Sequence, residues 1–162
     1  MSAIRHVLAV CGLLFLASAA QAQTTSVAFG NMQQDTSLPV EVTSEQLSVD
    51  QETGVAVFTG DVVIVQGEMR LAAPRVEVIY SEDQSSIQRL EATGGATLVS
   101  GEDAAEASRA DYDIDTGLVV MTGDVLVTRG INVMTSDYMT VDLKTGSAEM
   151  QGRVKTILQP QE

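Results

Sequence analysis

Three carboxylates alternate along Asp111-Tyr112-Asp113-Ile114-Asp115-Thr116-Gly117, a spacing that could chelate calcium. A helical calcium loop needs glycine at its sixth place and a bidentate glutamate at its twelfth, and here those places hold Thr116 and Thr122. Side chains alternate between faces along a strand, so the three carboxylates read as one solvated acidic edge. Asp61 and Asp124, each following a glycine, would suit a carboxylate pair for acid/base work, but turn chemistry accounts for them more simply. The chain's one histidine and one cysteine, His6 and Cys11, both fall within the first 22 residues. Nucleophile and base options beyond them reduce to Ser, Thr, Lys and carboxylates, which form no recognisable cluster. The reading is of a protein that is not an enzyme and has neither cofactor nor metal site. Arg129, Lys144 and Lys155 are candidates for touching phosphates at the mouth of a groove, against a default of isolated surface charges.

The elements that must position any site repeat. Thr53-Gly54-Val55-Ala56-Val57-Phe58-Thr59-Gly60-Asp61-Val62 returns 63 residues later as Thr116-Gly117-Leu118-Val119-Val120-Met121-Thr122-Gly123-Asp124-Val125. Weaker copies surround Gly94 and Gly152, so the reference glycines lie 34, 29 and 29 residues apart. A period near thirty residues means stacked units that bury an apolar face only against their neighbours. Valine, isoleucine and threonine recur from Val40 to Leu158 with turns every six to twelve residues, which predicts strands throughout. The best helix candidate is the Ala-rich stretch Glu102–Arg109. Pro74, ahead of the strand Val76-Glu77-Val78-Ile79-Tyr80, suits a strand start or edge.

Polar and apolar residues alternate in the copies around Gly94 and Gly152, which fixes an inside and an outside. Carrying that frame along the chain places Ala56, Phe58, Val62, Ile64, Leu90, Ala92, Ala96, Leu98, Val119, Met121, Val125, Val127, Ala148, Met150 and Val154 inward. Phase is kept through the glycines if each is a turn or bulge of constant shape, for which glycine supplies the positive φ. Val55, Val57, Val63, Val65, Leu118, Val120 and Leu126 make the opposite face apolar too, either through β-propensity or because something covers it.

Residues 1–22 have the composition of an export signal: Arg5 and His6, an apolar run from Val7 to Ala20, then Ala20-Gln21-Ala22 as a cleavage site. The expectation is a soluble exported chain starting at Gln23, with a retained membrane anchor as the alternative. Cys11, inside the run and after Val10, does not suit lipidation. Residues 23–38 read as a flexible leader before a domain spanning 39–160. The net charge of −13, with a sequence pI near 4.2, makes nucleic acid an implausible partner. A transmembrane barrel is disfavoured because its aromatic girdles are missing: the chain has no Trp, three Tyr and three Phe.

The ordered set Pro39-Val40-Glu41-Val42-Thr43-Ser44-Glu45-Gln46-Leu47-Ser48-Val49-Asp50, Gly54, Phe58-Thr59-Gly60-Asp61-Val62 and Val65-Gln66-Gly67, with the close Arg153-Val154-Lys155-Thr156-Ile157-Leu158-Gln159-Pro160, resembles the OstA/LptA family of periplasmic lipopolysaccharide-transport proteins. The resemblance implies an all-β fold, an antiparallel β-jelly-roll bent like a taco, with lipid A acyl chains in its apolar interior. It also implies copies stacked end to end between inner- and outer-membrane components of the transport system. On that reading the groove is lined by the inward residues above, apart from Ala96 and Ala148, together with Val76, Val78, Met139 and Val141. The partner-binding rungs are Val40, Val42, Leu47 and Val49 at one end and Val154, Thr156 and Leu158 at the other, where an open stack leaves backbone groups unpaired. The residue-level alternative is that the lining side chains simply pack each other as core. Rival identities are a membrane-anchored component of the same pathway and a β-solenoid scaffold or adhesin. The chain's acidity and its short tail after Leu158 set it apart from some relatives.

Overall fold

The computed structural model describes residues 25–28, 33–83 and 85–158, the first of these as backbone alone. The expected export signal and cleavage site lie outside the described residues. Among the described residues eleven strands make the fold: β1 (Thr25–Ala28), β2 (Glu41–Thr43), β3 (Gln46–Asp50), β4 (Val55–Gln66), β5 (Met69–Tyr80), β6 (Ile87–Ser100), β7 (Asp103–Asp113), β8 (Leu118–Arg129), β9 (Asn132–Asp142), β10 (Ser147–Gln151) and β11 (Lys155–Ile157). They form one antiparallel sheet in the order β1-β10-β9-β8-β7-β6-β5-β4-β2, with β3 also on β4 and β11 also on β9. The Ala-rich helix candidate is turn and β7, where Ala105, Ala107 and Ala110 are buried and Ala105 sits between Leu98 of β6 and Val127 of β8. None of the described residues forms a helix long and apolar enough to cross a membrane.

One sentence of sequence writes three of the turns. Asp50, Asp113 and Asp142 each open an Asp-x-x-Thr-Gly stretch ending at Gly54, Gly117 or Gly146, and each glycine N–H returns to the aspartate carbonyl at 2.8–2.9 Å. The glycines supply φ values of 68°, 75° and 71°. Each aspartate Oδ1 accepts backbone N–H groups inside its turn: Glu52 and Thr53, Thr116, or Lys144 and Thr145. Donation from Thr53 and Glu52 lowers the Asp50 carboxyl, and donation from the Thr116 N–H and hydroxyl lowers Asp113, both from an ordinary 3.8. In the β5–β6 turn, the Ser81 and Ser85 hydroxyls hold Asp83 down to about 2. Below the ordinary carboxylate range the unfolded chain therefore binds more protons than the folded one. The stabilisation is complete above that range and is lost as pH falls through the folded values. The melting temperature is expected to drop between about pH 5 and pH 2, and Asp113→Asn, which keeps an acceptor but removes the titration, should flatten that slope in thermal scans.

Three of the reference glycines, Gly60, Gly94 and Gly123, are bulges inside strands, and the fourth, Gly152, lies in the bend between β10 and β11. Each is followed by a second residue of positive φ: Gly60 at 80° and Asp61 at 42°, Gly94 at 88° and Gly95 at 103°, Gly123 at 85° and Asp124 at 48°, Gly152 at 75° and Arg153 at 43°. Register shifts fall at the same level in β4–β5, β5–β6, β6–β7, β7–β8 and β8–β9. A bulge bends its strand, and bulges aligned across a sheet make a crease. The crease splits the sheet into two leaves. Leaf 1 holds 62–66, 69–73, 96–100, 103–107, 125–129 and 132–136; leaf 2 holds 55–59, 75–80, 87–93, 109–113, 118–122 and 138–142. β2 and β3 are the two halves of one bent rung on β4, and β11 and β10 are the two halves of another on β9.

Glycine-bearing strands keep their phase through the crease, stepping from Phe58 to Val62, Ala92 to Ala96 and Met121 to Val125. The intervening strands change phase, with buried steps from Ala73 to Val76, Ala107 to Ala110 and Ser136 to Met139. The inward sets of both leaves therefore meet in one continuous apolar cluster. Its larger members, among them Ile64, Leu71, Leu90, Leu98, Met121, Met139 and Met150, are each stabilised by about 1.5–3 kcal/mol relative to exposure. The segment 23–38, expected as a leader, supplies β1, which pairs Thr25 with Met150 on the edge of β10.

Candidate functional site

The interior between the leaves is the site the topology builds. β4, β6, β8 and β10 contribute Ala56, Val62, Ile64, Leu90, Ala92, Leu98, Val119, Met121, Val125, Val127 and Met150, and β5 and β9 contribute Val76, Val78, Met139 and Val141; all are buried. Phe58 is half-buried against the cluster. Val154 departs from the expectation. It is 39% exposed, because the inward phase ends at Met150 and the chain turns through Gly152 and the positive-φ Arg153 before β11 begins.

The structure adds inward residues that the sequence reading did not assign to the site: Met69, Leu71 and Ala73 on β5, Ala105, Ala107, Ala110 and Tyr112 on β7, and Met134 and Leu143 from the β9 segment. These strands lack a glycine to mark the crease, so their phase change had no local signal. The lining is dense, since the ten largest fully buried side chains all belong to it. The space between the leaves is filled by their own side chains.

Polar groups mark the rim of leaf 1. Gln66, Ser100 and Asp103 point inward there and are buried. Desolvation raises the Asp103 carboxyl against the opposing pull of Arg129, whose Nε lies 3.9 Å away. The outer face of leaf 2 carries an ion-pair ladder, with Arg89 on Glu91 at 3.1 Å and Arg109 on Glu91 at 2.6 Å and on Asp111 at 2.5 Å. Asp111 and Asp113 are thus committed to an arginine and a turn, and no group of three metal-ligating side chains converges among the described residues. Asp61 and Asp124 lie on β4 and β8 with three strands between them. Arg129, Lys144 and Lys155 are not brought together: Arg129 closes β8, Lys144 donates its Nζ to the Asp115 carbonyl at 2.7 Å, and Lys155 opens β11. A depression of about 250 Å³ on the outer side of the crease is lined by Asp124, Val125, Leu126, Thr135, Ser136, Asp137 and Arg153.

The terminal rungs differ in exposure. Leu47 and Val49 on β3 and Ile157 on β11 are exposed apolar side chains on strands paired along one side, and Leu158, just past β11, is exposed as well. Thr156 is exposed beside them, while Val40 and Val42 pack partly against the core. At the second end β1 covers β10, so the open edge there is β11 and the outer side of β1.

Comparison with known proteins bears on what such a creased sheet does. Residues 41–147 match the family model described as LptA/(LptD N-terminal domain) LPS transport protein. An uncharacterized protein of Rhizobium meliloti is 31% identical over 98% of this chain and 92% of its own length. The lipopolysaccharide export system protein LptA of Escherichia coli is 27% identical over 78% of this chain and 74% of its own, and that of Haemophilus influenzae 26% over 91% of each. Among solved structures, LptH of Pseudomonas aeruginosa, titled the LptA homologous periplasmic component of the lipopolysaccharide transport device, superposes with a TM-score of 0.68 at 19% identity, covering 78% of this chain and 99% of that one. The creased, all-β antiparallel sheet is therefore the LptA fold, and the chain belongs to the LptA/LptD N-terminal-domain family of lipopolysaccharide transport proteins.

Proposed function

We propose that this protein carries lipopolysaccharide through the periplasm, sheltering lipid A acyl chains between its two leaves, and that copies joined head to tail bridge inner- and outer-membrane components of the transport system. The observation that carries the reading is a continuous apolar lining, contributed by every long strand, inside a sheet that is folded rather than closed. A chain of a dozen methylenes moved from water into such an interior gains on the order of 10 kcal/mol before entropic costs. Because the lining side chains pack against each other, entry of an acyl chain parts the leaves, and acyl groups then replace the contacts that those side chains lose. Methionines on β8, β9 and β10 suit that exchange, since their unbranched side chains adapt to irregular shapes. The exposed apolar edges of β3 and β11 suit strand addition between copies, a heterologous contact that continues as a filament. Folding without a disulfide is compatible with the periplasm.

A photo-crosslinking amino acid at Phe58, half-buried at the interior, is expected to label lipopolysaccharide in cells, and the same group at Glu91 on the outer ion-pair ladder is not. Equal labelling at both positions would overturn the interior assignment. Light scattering that returns only monomer across a wide concentration range would remove the head-to-tail bridge and leave the carrier.

A further inference from the structure

Residues 34–38 cross from the rim of one leaf to the rim of the other. The Gln34 N–H donates to the Leu143 carbonyl beyond the end of β9 in leaf 2, at 2.9 Å. Its Oε1 accepts the Met69 N–H at the start of β5 in leaf 1, at 3.2 Å. Gln66, on the rim of leaf 1 and 1% exposed, holds the same segment from beneath. Its Nε2 donates to the Thr36 and Leu38 carbonyls, each at 2.9 Å. Its Oε1 accepts the phenol of Tyr112, 2.5 Å away and belonging to leaf 2. One glutamine therefore ties both leaves and the crossing segment together.

Two details distinguish this arrangement from ordinary core. Tyr112 is fully buried, and burial pushes its hydroxyl up to about 12, so it remains a protonated donor throughout the physiological range. Gln34 Nε2, in contrast, is buried without a hydrogen-bond partner. An unsatisfied buried donor penalises the closed form, because opening returns the group to water. A fastening with most of its bonds made and one left unmade is held but releasable.

Resting on the carrier reading above, we propose that residues 34–38, fastened by Gln66 and Tyr112, are a latch over the gap between the leaves that is released when an acyl chain enters. Tyr112→Phe removes one oxygen, keeps the ring, and leaves Gln66 Oε1 buried without its donor, so it biases the latch toward release. One buried hydrogen bond corresponds to about a tenfold shift in such an equilibrium.

The test uses the mature chain and two readouts. Amide hydrogen exchange on the ligand-free protein is expected to rise about tenfold in 33–40 and 67–72 in Tyr112→Phe, with 118–122 unchanged. Uptake of a fluorescent dodecanoyl probe should accelerate by a similar factor. Gln66→Leu, which removes the bonds to Thr36, Leu38 and Tyr112 together, should act in the same direction. Exchange that rises evenly over the whole sheet would make Tyr112 a structural residue and overturn the latch. So would equal uptake rates in wild type and variants, with the carrier reading intact. If the wild type takes up no probe, the carrier reading fails and the latch fails with it.

Discussion

Met121→Asp is expected to cost the protein most of its stability. Met121 lies in the first half of β8, fully buried, the last inward residue before the crease. Truncating a buried methionine alone costs about 2–5 kcal/mol, and leaving an unpaired carboxylate in the cavity carries the loss past the 4–5 kcal/mol that marks an exceptional substitution. Against a typical total of about 5–15 kcal/mol, the folded population falls sharply. Met121→Leu conserves volume and should cost less than about 1.5 kcal/mol. Glu91→Gln, on the outer ladder with its side chain 21% exposed, should cost about 1 kcal/mol or less. Denaturant unfolding reads all three, and a Met121→Asp midpoint close to that of wild type would mean that water already reaches the interior. The density of the lining also changes what a charge there reports: it tests folding before it tests lipid, and for that reason the lipid probe belongs at Phe58.

The second large effect concerns the crease. Gly123 holds φ at 85°, and a Cβ built there stands 2.9 Å from both Cβ and Oγ of Ser108 on the facing strand. Gly123→Val adds a β-branched side chain where the backbone is left-handed and space is already taken, so a loss of about 3 kcal/mol or more is expected. Gly95→Ala provides the contrast. Its φ is 103°, but nothing lies within 4 Å of where the added methyl would stand, so only the backbone penalty of about 1–2 kcal/mol applies. Unfolding midpoints of the two variants separate contact from conformation. If they fall equally, close approach at the crease is not what demands glycine there.

Strand content, the alternation of β4, β6, β8 and β10 and the family were legible because the repeat carries its own ruler: each copy restarts at a glycine and both leaves keep even spacing around it. β5, β7 and β9 were harder to read. Their phase slips at Pro74-Arg75, Ser108-Arg109 and Asp137-Tyr138, where no glycine announces it, and alanines on β7 occur in both phases. Val154 was carried inward by the same regular frame, which fails where Arg153 takes a left-handed turn and pairs with Asp137. The latch could not be found by pattern, because Gln66 and Tyr112 are 46 positions apart and meet only once the crease has folded. The segment before Pro39 read as a leader because polar residues with no period say nothing about what they cross.

That first segment also orders events in time. Every long strand from β4 to β10 pairs with the one made just before it, whereas β1 must wait for β10, whose partner residues come some 122 positions later. A chain that emerges amino end first therefore presents β1 to an edge that does not yet exist. The meander assembles by local zippering, and the non-local closure, with its larger loop entropy, comes last. Until it does, the nascent sheet keeps its final edge free for whatever strand arrives first.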